Sequence, residues 1–145
     1  MNRWWLLGIV SILILAGAVA LVVVPVPQKT PVVTAPASLD DLITIDSPLP
    51  HSSVTSPLTI TGRARGTWYF EASFPIDIKD ASGKVIAQGH AEAESDWMTE
   101  NYVPFKATLS YPPQQSGSRG VLVIKNDNPS GDPARDKKVE IPVVF

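Results

Sequence analysis

The sequence predicts an all-β fold, two stacked sheets of about seven short strands, preceded by one N-terminal transmembrane helix. Three observations carry this expectation. From Ile43 onward, apolar residues recur at every second position and no stretch shows a 3.6-residue repeat. The 145 residues include 14 prolines and 9 glycines, a composition that suits strands and turns better than helices. Finally, no charged residue interrupts the run from Leu6 to Val24. As a helix that run would extend roughly 28 Å at about 1.5 Å per residue, close to the hydrocarbon thickness of a bilayer.

Arg3 and the terminal amine are the only charges ahead of the run, and Trp4 and Trp5 stand where an interfacial aromatic belt belongs. The N-terminus is therefore expected in the cytoplasm and the rest of the chain outside it. The alternative is secretion after signal cleavage, because Ala18-Val19-Ala20 fits the small-x-small pattern. The apolar run continues past that point through Val24, which favours a retained anchor. Residues 25–42, "PVPQKTPVVTAPASLDDL", place prolines at 25, 27, 31 and 36. They predict an extended linker reaching at most roughly 55 Å. The organisation expected is an anchor over 1–24, a linker over 25–42 and a β domain over 43–145.

Within that domain, Ile43 and Ile45 alternate with polar residues before "SPLP" breaks the first strand. Leu58 and Ile60 mark a second, ending at Gly62. "FEASFPIDIKD", Phe70 to Asp80, is a third that extends back to Trp68. After the turn "DASG", in which Gly83 supplies the positive φ of a tight hairpin, "KVIAQGHAEAE" is the fourth. Val103, Phe105, Ala107, Leu109 and Tyr111 form the fifth. "GVLVIK" is the sixth, buried on both faces, and Val139, Ile141, Val143 and Phe145 form the last. Seven short strands punctuated by Pro and Gly point to an immunoglobulin-like β-sandwich, with a small barrel as the alternative. Phe70, Phe74, Ile76, Phe105, Leu109, Ile141 and Val143 are expected in its core. Pro75 has no N–H for a ladder, so its strand is expected at an edge or bulged there.

The ordered segments "ITIDSPLPHSSVTSPLTITGRARGTWYFEASFPIDIKDASGKVI", "DWMTENYVPFKATLSY", "NDNPSGDP" and "VEIPVVF" resemble the bacterial spore germination immunoglobulin-like domain family. The resemblance runs from Ile43 to Phe145. It implies a bacterial, extracytoplasmic immunoglobulin-like module of the cell envelope, tied to germination in spore formers, with no catalytic residues to carry across. The chain lacks the cysteine of lipoprotein members, so here a helix would do the anchoring that a lipid does there.

Composition narrows the function. With 12 basic and 14 acidic residues and a net charge of −2, there is no basic field to attract nucleic acid. With no cysteine, disulfides, thiolate metal sites and Cys nucleophiles are excluded. His90, Glu92 and Glu94 share one strand face and are of metal-ligating type. However, same-face residues on a flat strand lie about 7 Å apart, which opposes convergence on one ion. "DNPSGDPARD", Asp127 to Asp136, reads as an Asx-type turn, because Pro129 and Gly131 interrupt the alternating oxygens of a calcium loop. His51, near Asp46, Ser52 and Ser53, lies in a Pro-flanked turn without a nucleophile elbow. No enzyme activity, cofactor or metal is therefore expected, with a small envelope metal protein or hydrolase using His90, Glu92 and Glu94 or His51 as the alternative. The candidates for contact with an envelope protein or cell-wall polymer are Arg63, Arg65, Tyr69, Trp97 and Tyr102, residue types that dominate binding hot spots. Trp68, in register with Phe70, is expected in the core.

Overall fold

The computed structural model describes residues 39–145. The expected N-terminal helix and most of the linker lie outside the described residues. A short 3-10 turn at Leu39–Asp41 leads into seven strands: β1 (Ile43–Ser47), β2 (Leu58–Arg65), β3 (Ser73–Lys79), β4 (Val85–Ala93), β5 (Tyr102–Leu109), β6 (Arg119–Lys125) and β7 (Lys138–Val144). They form one antiparallel sheet in the order β1-β2-β5-β4-β3-β6-β7.

The sheet is curled into two layers. Strands β4 and β5 share only two paired positions, Glu92 with Lys106 and Ala93 with Phe105. Strand β4 pairs with β3 from Val85 through Glu92. The sheet therefore splits beyond that short seam, and β1-β2-β5 folds over β4-β3-β6-β7. Alternation fills the space between them. Phe74, Ile76 and Ile78 of β3 meet Ile60 of β2, Phe105 of β5, Leu122 and Ile124 of β6, and Ile141 and Val143 of β7 in one cluster. Phe74 and Phe105, from opposite layers, touch edge to face with centroids 4.9 Å apart. Burying each such ring stabilises the fold by roughly 1.5–3 kcal/mol.

The outer strands are tied together by a segment with no strand pattern of its own. After β1 the chain crosses to the other layer, where Ser53 bridges Val144 in parallel. His51 N donates to Pro142 O (2.6 Å), Val54 N to Val144 O (2.8 Å), and Val144 N to Ser52 O (3.0 Å). These bonds satisfy the last turnings of β7, an edge that would otherwise present open donors and acceptors.

Three expectations are corrected. Strand β2 does not stop at Gly62 but runs to Arg65, with Gly62 opposite Phe105. A Cβ at Gly62 would collide with the Thr44 carbonyl oxygen and the Phe105 ring, so glycine here serves close packing rather than chain termination. Pro75 lies neither at an edge nor in a bulge, since β3 is flanked by β4 and β6. Ala93 N donates to Ala72 O, so by alternation the even-numbered residues of β3 bond to β4 and Pro75 faces β6. The β6 ladder begins only at Ile76, so the missing N–H costs no ladder bond. Phe70, expected in the core, is 41% exposed. A 3-10 turn at Gly66–Trp68 and a reverse turn at 71–72 delay β3 until Ser73, so the strand alternation does not reach Phe70.

Candidate functional site

Three loops meet at the end of the domain where β1 begins: 66–72 between β2 and β3, 94–101 between β4 and β5, and 126–137 between β6 and β7. All five contact candidates lie on or beside these loops, yet most of them build the end rather than present it. Arg65 ends β2 on its outer face. Its Nε donates to Asp41 O (3.2 Å), its Nη1 donates to Glu100 O (3.2 Å), and its guanidinium stands 4.1 Å above the Tyr102 ring. One side chain thus ties the N-terminal turn to the 94–101 loop and to β5. Arg63, two residues earlier on the same face, is exposed opposite Pro104.

Tyr69, expected at the surface, is buried. Its hydroxyl donates to Val103 O (2.8 Å) and its ring meets Phe74 at 5.1 Å. Burial pushes the phenol well above its ordinary value, with the Glu94 charge adding to the rise, so the group stays neutral. Trp97, also expected at the surface, is half-buried and packs against the core. Trp68 is buried as expected, although its indole N–H finds no acceptor among the described residues.

The 94–101 loop holds itself with short side-chain bonds: Asp96 Oδ1 accepts from Met98 N (3.0 Å) and Thr99 Oγ1 from Asn101 N (3.2 Å). It packs so closely on the 3-10 turn after β2 that a Cβ at Gly66 would overlap the Trp97 and Thr99 carbonyl oxygens. The 126–137 loop has the Asx-type organisation expected of it. Asn128 Oδ1 accepts from Ser130 Oγ (2.6 Å), and its amide donates to Asp132 O (2.8 Å) and Asp136 Oδ1 (2.7 Å). Asn126 Oδ1 accepts from Lys137 N (2.6 Å), and Gly131 takes φ 66°.

Between loops 66–72 and 126–137 lies an open cleft of about 400 Å³, lined by Thr67, Tyr69, Phe70, Asp127, Arg135 and Lys137 among others. Phe70 is the residue that sequence reasoning missed here. It begins a two-residue reverse turn in which Phe70 and Ser73 exchange backbone bonds (3.0 and 3.1 Å) while Glu71 and Ala72 adopt φ 48° and 62°. Glycine or asparagine usually occupies such positions. The Glu71-Ala72 pair carries no turn signal, so the alternation reads as unbroken through it.

The remaining candidates lie elsewhere. His90, Glu92 and Glu94 point outward and line a cleft of about 390 Å³ where β4 and β5 diverge, but Lys106, the cross-strand partner of Glu92, lines it too. Among the described residues no three His, Cys, Asp or Glu side chains are grouped to hold a metal ion. His51 stands at φ 63° in the crossover between layers. Ser52 Oγ beside it donates to Leu49 O (2.6 Å), an arrangement that fixes the turn.

Residues 42–132 match the family model described as the immunoglobulin-like domain of bacterial spore germination. The match ends inside the 126–137 loop, ahead of β7, which supplies Ile141 and Val143 to the core. No curated protein and no solved structure matches the chain.

Proposed function

The chain belongs to the immunoglobulin-like domain family of bacterial spore germination, and from that premise we propose a non-enzymatic, membrane-tethered extracytoplasmic module that binds or scaffolds another component of the cell envelope. In this reading residues 6–24 anchor the chain, residues 25–42 space it from the bilayer, and the three-loop end makes the contact. The partner is an envelope protein or wall polymer, and in spore formers the role extends to germination.

The observation that carries the reading is how the three loops are built. Side chains bond back to backbone within loops 94–101 and 126–137, Arg65 and Gly66 hold loop 94–101 against the end of β2, Asp127 N donates to Trp68 O (3.0 Å) between loops 126–137 and 66–72, and an exposed aromatic ring stands at the cleft. Loops held rigid by a scaffold, with an aromatic at their surface, are the usual setting for recognition. The buried, neutral Tyr69 and the turn-bound Ser52 offer no activated nucleophile.

The test is photo-crosslinking in living cells, with a photoreactive residue at Thr67 in the loop end or at Ser82 in the opposite turn. Adducts from position 67 and none from position 82 are expected. Adducts from position 82 alone would overturn the assignment of the contact surface.

A further inference from the structure

We propose that the cleft beside Phe70 is a subsite for a pyranose ring of a glycan, which makes the partner a polysaccharide. The inference deepens the reading above and rests on it for the loop end being the contact surface.

The first observation is the ring itself. Among the described residues, Phe70 is the one aromatic side chain that is exposed rather than buried or half-buried. Its position is held against a conformational cost, because both central residues of its turn are non-glycine residues in the left-handed region. A sugar ring has an apolar C–H face that lies flat on an aromatic surface, and an exposed phenylalanine supplies that surface.

The second observation is what surrounds the ring. Thr67 offers a hydroxyl, Asp127 a carboxylate, and Arg135 and Lys137 cationic donors, all on the same cleft. The carboxamides of Asn126 and Asn128 are engaged within the loop, whereas Arg135, whose Nε stands 3.9 Å from Asp132 Oδ2, keeps most of its side chain exposed, so these four supply the outward-facing chemistry. Sugar hydroxyls both donate and accept, so one ring edge can satisfy a carboxylate and a guanidinium together. A protein hot spot would instead bury an apolar anchor where charged residues are depleted, and it would leave Asp127 and Lys137 to be desolvated without partners. At about 400 Å³ the cleft is also at the small end of ligand sites, suited to one or two rings rather than to a protein surface.

The experiment uses the full chain in a zwitterionic detergent without a sugar headgroup. Chitotriose is titrated as a neutral probe and trigalacturonic acid as an acidic one, each followed by calorimetry. Saturable binding of at least one probe is expected, with Phe70→Ala weakening it about tenfold and Phe70→Trp retaining it. Asp127→Asn is expected to weaken the neutral probe. Phe70 lies outside the core, so Phe70→Ala should melt as the wild type does, and the tryptophan variant provides a second, ring-retaining control. Absence of saturable binding by both probes, or binding unchanged in Phe70→Ala, would overturn the proposal. If position 67 still cross-links to an envelope protein while neither saccharide binds, the glycan inference alone falls. If position 67 yields no adduct either, the assignment of the loop end falls with it.

Discussion

Asp77 is the one charged side chain buried among the described residues, and it lies on the outer face of β3 rather than in the seam between layers. Burial alone would raise its pKa. The Lys125 ammonium paired with Oδ2, Gln88 Nε2 donating to Oδ1 (2.9 Å) and the Lys79 charge outweigh burial and hold the carboxyl below its ordinary 3.8. A depressed folded-state pKa means the stabilisation is present above the unfolded value and lost as pH falls through the folded one. Wild-type melting temperature should therefore drop as pH is lowered below about 4, and Asp77→Asn should flatten that slope. The Lys125 side chain is 42% exposed, so the same substitution is expected to cost only about 1–2 kcal/mol at neutral pH, measured by urea unfolding. At this scale the sequence is legible wherever alternation is unbroken: Phe74, Ile76, Phe105, Leu109, Ile141 and Val143 are all buried as their positions require. It fails at Tyr69 and Phe70, where a shift of one residue exchanges the inward and outward faces.

That shift arises in two adjoining turns, the 3-10 turn at Gly66–Trp68 and the reverse turn from Phe70 to Ser73. Two successive left-handed residues reverse the chain within two positions, and neither Glu71 nor Ala72 is a residue that favours this backbone. Placing Asn at position 71 and Gly at position 72 should relieve the strain and raise stability by about 1–2 kcal/mol in thermal unfolding. The neighbouring 3-10 turn responds in the opposite sense. Because Gly66 lies directly under the Trp97 and Thr99 carbonyls, Gly66→Ala must push the 94–101 loop away. About 1–3 kcal/mol of destabilisation is expected, with amide exchange accelerated in that loop ahead of the rest. Turns with glycine at the required place announce themselves, as "DASG" does. Gly83 takes φ 85°, and Asp80 Oδ1 collects Ser82 N (2.9 Å), Ser82 Oγ (2.6 Å) and Lys84 N (3.1 Å). The Phe70 turn had no such marker.

For the molecule as a whole, stability rests on the aromatic contact between layers. Phe105→Ala removes a fully buried ring that joins Phe74 across the core, and about 3–5 kcal/mol of stability should be lost, enough to threaten folding of a domain this small. The tethering proposal also belongs to this scale. Intact mass in the membrane fraction should equal the full chain, and a species beginning at Leu21 would show cleavage and secretion instead. The sequence by itself determined that the domain is all-β, how many strands it has and which rows face inward, because a two-residue period admits one solution whenever one face must be dry. The tertiary structure decided what no local pattern encodes: the curl that joins β4 to β5 at only two positions, the segment at 51–54 that covers β7, and the separation of structural from presented residues among Arg65, Tyr69, Phe70 and Trp97. Those outcomes depend on contacts between residues far apart in the chain, and the free energy of such contacts exists only once the layers have closed on each other.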